Sequence, residues 1–127
     1  MKKQTEWNCV GDQTWYAPES ISYGKFSSAS DVWSFGILLW EMYSYGQQPY
    51  EGMEAHQLLK FLNSGQRLSM PDAASAEVQQ QMLDCWSLEP DHRPRFVELL
   101  NFFAENREYL NLKELLTTQV WWLFYSL

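Results

Sequence analysis

The stretch "SSASDVWSFGILLWEMYSYG", residues 27–46, limits the fold more than any other part of the chain. Ser28 and Asp31 stand as a Ser-x-x-Asp helix-start signal, whose side chains can serve backbone N–H groups that a first helical turn leaves without partners. Val32, Phe35, Leu39 and Met42 then recur at helical spacing, and Trp33, Ile37 and Trp40 form a second apolar stripe beside them. A helix that is apolar on almost every side cannot lie on a surface; it runs through the middle of a domain and other elements cover it. Gly46 and Pro49 end it.

Three weaker amphipathic patterns supply that cover. In 53–63 the stripe is Ala55, Leu58, Leu59 and Leu62, with Gly65 as the stop. In 75–87 Ser75 can cap, and Val78, Met82, Cys85 and Trp86 share one face, away from Glu77, Gln80 and Asp84. In 94–108 Pro94 suits a first turn, and Phe96, Leu99, Leu100 and Phe103 make the stripe. Residues 1–27 show no helical period and are punctuated by Gly11, Pro18 and Gly24, which predicts loop with one short helical turn at "APESIS". No run alternates as a strand would. The expected class is all-α, a bundle around one buried central helix.

Composition narrows the function classes. Hydrophobic residues make up 46% of 127, with seven each of Trp, Tyr and Phe, enough to build the core of one ordinary domain. A formal charge of −7 argues against a nucleic-acid binder, which needs clustered Lys and Arg. Cys9 and Cys85 form no CxxC pair, and His56 and His92 are isolated, so neither a disulfide framework nor a metal site is expected. "MKKQTEWNCVG" lacks the apolar centre of a signal peptide, and "VWWLFY" at 120–125 is too short to span a bilayer. The expectation is a soluble cytoplasmic chain with no transmembrane segment, or a piece of a larger protein whose anchor lies elsewhere.

The loop "DQTWYAPES", residues 12–20, places two aromatics directly before Ala-Pro-Glu. Taken with "SDVWSFG", "PYEGM" and "CWSLEPDHRPRF", it falls in the order and approximate spacing of the C-terminal lobe of a protein tyrosine kinase, which the chain resembles over roughly residues 14–104. Its wording is most similar to the spleen tyrosine kinase family and its Shark-type relatives, with Janus kinases second. The resemblance implies the fold, the helical lower half of a kinase C-lobe. It also implies roles. Trp15, Tyr16 and Ala17 would form the shelf that receives the residue after the target tyrosine. Glu19 would pair with Arg93, a bidentate carboxylate–guanidinium contact being strong and oriented. Asp31 would brace the catalytic loop of the parent by accepting backbone N–H bonds, besides favouring the helix dipole where it stands. Trp33, Trp40 and Trp86 are read as core.

The pattern departs from the family just before Trp15. Tyrosine kinases carry Pro, an aliphatic and a basic residue there, and this chain has Asp12, Gln13 and Thr14. The first tyrosine is Tyr16, so no activation-segment tyrosine precedes the shelf. Phosphoryl transfer by a kinase needs a Gly-rich loop, a strand lysine, a His-Arg-Asp loop with its Asn, and an Asp-Phe-Gly turn. The glycines at 11, 24, 36, 46, 52 and 65 never approach Gly-x-Gly-x-x-Gly. "SFG" at 34–36 has Ser34 in the metal position, and "DHRPR" at 91–95 has Pro94 where the base belongs. The 127 residues therefore carry no catalytic residue and no site for ATP.

Two classes of function follow. One is a fragment of a non-receptor protein tyrosine kinase, inactive alone, with no cofactor of its own. Its parent would use ATP and magnesium on tyrosines of protein substrates, and paired SH2 domains with SH2-linked signalling partners would fit it. The other is a non-catalytic truncated binding module, with a piece of a pseudokinase as a third reading. The expected division is 1–27 for the end of the activation segment and shelf, 28–108 for the helical core, and 109–127 for a C-terminal extension. In that extension Leu112, Leu115 and Leu116 fall at helical spacing, and "VWWLFYSL" has no counterpart in the lobe.

Overall fold

The computed structural model describes residues 13–106. Five α-helices follow in order: α1 Pro18–Tyr23, α2 Ser28–Tyr43, α3 Ala55–Asn63, α4 Ala76–Cys85 and α5 Phe96–Glu105, with a 3-10 turn at Pro90–His92 before the last. Among the described residues there is no strand. The all-α expectation holds. Residues 1–12, with Cys9 and Asp12, and residues 107–127, with the expected extension, lie outside the described part.

Helix α2 is the central element. Val32, Trp33, Gly36, Ile37, Leu39, Trp40, Met42 and Tyr43 are all buried, on both expected stripes and between them. Its start differs from the sequence pattern by one residue. Ser27 is the cap, in extended conformation, so Ser28 already belongs to the helix. The Ser27 hydroxyl accepts the Ser30 N–H at 3.2 Å, and the Ser30 hydroxyl accepts the Ser27 N–H at 2.7 Å. A short serine at the third helical position can close this reciprocal box, which leaves Asp31 in the first turn as a dipole partner only. The helix ends where Tyr45 and Gly46 turn left-handed, φ 59° and 83°, and the Gly46 N–H returns to the Glu41 carbonyl at 2.8 Å.

The other helices enclose it. Helix α4 starts at Ser75, whose hydroxyl accepts the Val78 N–H at 3.3 Å, and buries Val78, Met82 and Cys85 with Trp86 just beyond its end. It packs directly on α2 because Gly36 has no side chain. A Cβ there would stand 2.6 Å from Trp86 Nε1 and 2.8 Å from Cys85 Cβ. Burial pushes the Cys85 thiol up to about 12, so it is an inert core group. Helix α3 buries Leu58 and Leu62 and packs against α1; the Tyr50 ring meets Phe61 edge-on at 6.0 Å. The segment "APESIS" is more than a single turn: α1 runs six residues, with Pro18 at its start and Gly24 closing it at φ 64°.

Helix α5 begins later than the sequence suggested. Proline disfavours helical geometry in the residue before it. Arg93 is accordingly extended, at φ −73° and ψ 147°, and Arg95 becomes the cap, its N–H bonded to the Glu98 carboxylate at 3.1 Å. Pro94 thus precedes the helix, and Pro90 opens the 3-10 turn. Of the expected stripe only Leu99 is buried; Phe103 is half-buried, and Phe96 and Leu100 are exposed.

Candidate functional site

The loop before α1 is held at both ends and open in its middle. Thr14 and Ala17 are buried, while Trp15 and Tyr16 between them keep 38% and 37% of their surface. Two side chains of α2 fix Trp15. Ser34 donates to its carbonyl at 2.6 Å, and Glu41 Oε1 accepts its indole N–H at 2.7 Å. Residues seven apart lie two turns along one helix face, so a single edge of α2 grips backbone and ring together. Tyr16 stacks edge-to-face on Phe26 at 5.4 Å, and its N–H bonds to the Gln13 carbonyl at 3.0 Å. Burial raises the pKa of Glu41, and the Trp15 bond opposes that shift without cancelling it.

Glu19 anchors the other end. Arg93 Nη1 and Nη2 meet its two oxygens at 2.6 and 2.9 Å. The same guanidinium reaches the Ala29 carbonyl at 3.0 Å and the Ser87 carbonyl at 2.8 Å. One side chain therefore ties together α1, the start of α2 and the chain leaving α4. The Arg93 side chain is fully enclosed and that of Glu19 is 13% exposed. Burial alone would raise the Glu19 pKa, but the Arg93 hydrogen bonds and charge hold it below the ordinary carboxylate value.

A second arginine was not singled out from the sequence. Arg67 donates from Nε and Nη2 to the Trp86 carbonyl at 3.0 and 2.8 Å, and from Nη1 to the Leu62 carbonyl at 2.9 Å. It thereby satisfies the ends of α3 and α4, where helices leave carbonyls without partners. Its signal was a lone basic residue just past the Gly65 stop. The guanidinium carbons of Arg67 and Arg93 lie 5.3 and 5.1 Å from the Trp33 ring centroid, so this core tryptophan also serves as a cation–π surface. Trp40 donates its indole N–H to the Ser69 carbonyl at 2.8 Å, and Trp86 lies against Gly36. Asp31 is exposed on the first turn of α2.

The family profile described as protein tyrosine and serine/threonine kinase matches residues 1–103. This chain belongs to the protein kinase family. It is 47% identical over 104 residues to tyrosine-protein kinase Shark of Drosophila melanogaster, covering 82% of this chain and 11% of that protein. It is 49% identical over 83 residues to tyrosine-protein kinase SYK of Gallus gallus, covering 65% and 14%. To ephrin type-A receptor 6 of Homo sapiens it is 47% identical over 88 residues, covering 69% and 8%. The chain spans between 8% and 14% of these relatives' lengths.

Membership in the kinase family implies ATP and magnesium for a complete domain. The described residues do not fit the metal. Ser34 of "SFG" lies within α2, where its neutral hydroxyl donates to the Trp15 carbonyl at 2.6 Å, and it stands where a kinase's metal position needs a carboxylate. Among the described residues no group of three or more His, Cys, Asp or Glu is placed to hold a metal ion. Nor is any helix among them long and apolar enough to cross a membrane.

Proposed function

We propose that this chain is the shelf and lower-core piece of a non-receptor protein tyrosine kinase, whose parent transfers the γ-phosphoryl group of ATP to tyrosines of protein substrates. The observation that carries the reading is the anchorage of the loop. Trp15 is gripped by Ser34 and Glu41, Glu19 is locked to Arg93, and the aromatic faces between them stay open to solvent. A pre-ordered loop of this kind can receive an extended peptide without first losing its own conformational freedom. Trp15, Tyr16 and Ala17 would support the residue after the target tyrosine, and Asp31, exposed at the start of α2, would brace the parent's catalytic loop.

The similarity to Shark, over 82% of this chain, and to SYK, at 49% identity, supports a non-receptor, cytoplasmic parent with SH2-linked partners over a receptor parent of the ephrin-receptor kind, which matches over 69%. A second reading, the truncated binding module, draws on the same anchorage, because Ser34, Glu41 and Arg93, which hold the loop, all belong to this chain. A phosphotransfer assay tests both. The 127-residue chain with magnesium-ATP and a tyrosine peptide should transfer nothing, while a longer product with the missing catalytic parts should be active. In that product Trp15→Ala should raise the peptide KM severalfold and leave the KM for ATP unchanged. Transfer by the short chain would overturn the assignment. An inactive long product that still binds the peptide would favour the binding module.

A further inference from the structure

Among the described residues three carboxylates are half-buried: Glu19, Glu41 and Asp84. Glu19 is matched by Arg93, and Asp84 accepts the Gln80 amide at 2.8 Å. Glu41 has no cation beside it among the described residues, whose ion pairs go to Glu54, Glu19 and Glu98. Burial and the Trp15 hydrogen bond alone set its protonation. Its Oε1 takes the Trp15 indole N–H at 2.7 Å, and its Oε2 accepts no hydrogen bond from a described residue. A carboxylate drawn half out of water without a counter-charge is incompletely compensated, and a cation brought to it offsets that loss.

The neighbour of this carboxylate is an open aromatic surface. The indole whose N–H meets Glu41 leaves part of its ring in solvent, with the Tyr16 ring next in the chain also partly exposed. Indole is the best aromatic partner for a cation. The fold already uses that pairing inside, where Arg67 and Arg93 lie 5.3 and 5.1 Å from the Trp33 ring centroid. A guanidinium is planar, so it can lie over a ring and send N–H bonds to a carboxylate at the ring's edge, which an ammonium does less well.

We propose that Trp15 and Glu41 form a subsite for an arginine side chain of a bound peptide, with the guanidinium over the indole and hydrogen-bonded to the Glu41 carboxylate. This rests on reading the loop as a peptide shelf and gives its substrate a chemical class, tyrosine peptides that carry arginine. The test follows the Trp15 indole N–H by NMR in the isotopically labelled 127-residue chain, the signal being assigned with Trp15→Phe. Tyrosine peptides carry arginine at each position in turn, and each has a counterpart with citrulline, the uncharged isostere. At one position arginine should bind ~fivefold tighter than citrulline and shift the Trp15 signal. Glu41→Gln, which keeps an acceptor for the indole, should remove that difference, and added salt should shrink it. Blocked arginine, as N-acetylarginine methylamide, should move the same signal where blocked citrulline does not. If it does so while no tyrosine peptide binds, the subsite stands and the shelf reading fails. No preference for arginine in either format, or a preference that survives in Glu41→Gln, would overturn the proposal.

Discussion

Arg93 and Glu19 stand 74 residues apart in sequence and share two hydrogen bonds, of 2.6 and 2.9 Å. Since the same guanidinium also holds the carbonyls of Ala29 and Ser87, removing its partner leaves a buried cation with two bonds and no counter-charge. Breaking one half of a buried pair costs about 3–5 kcal/mol, a large share of the stability of a small domain. Glu19→Gln and Arg93→Ala should each lower the urea midpoint by that order or abolish the cooperative transition, as followed by circular dichroism. The double variant should lose much less than the sum. Equal, additive losses would show that the pair is not coupled.

The pair also sets a pH dependence. The Glu19 pKa is lowered on folding, so its contribution is present above the ordinary glutamate range and is lost as pH falls through the lowered value. Urea midpoints should therefore drop on acidification below pH ~4.5 in the native chain, and this part of the drop should vanish in Glu19→Gln.

Glu41 has the opposite sign. Its pKa is raised by burial, so what it contributes is present at low pH and lost as pH rises through the raised value. Glu41→Gln keeps an acceptor for the Trp15 indole and removes the desolvated charge. It should be at least as stable as the native chain at pH 7 and gain less, or nothing, at pH 4.5. Lower stability at pH 7 with an unaltered pH profile would contradict this.

Gly36 tests the packing of α2 on α4. In a helix alanine is favoured over glycine by about 1 kcal/mol. Here its Cβ would meet Trp86 Nε1 at 2.6 Å and Cys85 Cβ at 2.8 Å, and neither group is the free end of a flexible chain. Overpacking costs about 1–3 kcal/mol and outweighs the helix gain. Gly36→Ala should lower the Tm, read by calorimetry or circular dichroism.

For Arg67 the expected loss comes through hydrogen bonds rather than an ion pair. Arg67→Lys keeps the charge and cannot place Nε and both Nη atoms on the Trp86 and Leu62 carbonyls at once. Bonds from a charged donor are worth about 1.5–3 kcal/mol, so lysine should recover only part of what alanine loses in the urea midpoint. Full rescue by lysine would show that charge alone matters.

The central helix was legible in the sequence because two adjacent apolar stripes admit only a buried helix, and Ser75 and Gly65 marked helix ends that the backbone uses. Boundaries at serine and proline were less legible. Ser27 and Ser28 are both able to cap, and the backbone turn into the helix decides between them. Pro94 could begin a helix or precede one, and the extended Arg93 that reaches Glu19 decides that. Of the site, the aromatic loop stood out through its residue types. The roles of Ser34 and Glu41, and the hold of Arg67 on the Trp86 carbonyl, depend on contacts 19 to 26 residues away in sequence, which no local pattern records.

The most direct test of the central claim, that this chain is a piece of a longer kinase, is to sequence transcripts across and upstream of the codon for Met1. The account predicts a reading frame that continues upstream into a strand lysine, a His-Arg-Asp loop and an Asp-Phe-Gly turn. An in-frame stop before Met1 in mature transcripts would contradict it, and this chain would then be a kinase-derived binding module without chemistry of its own.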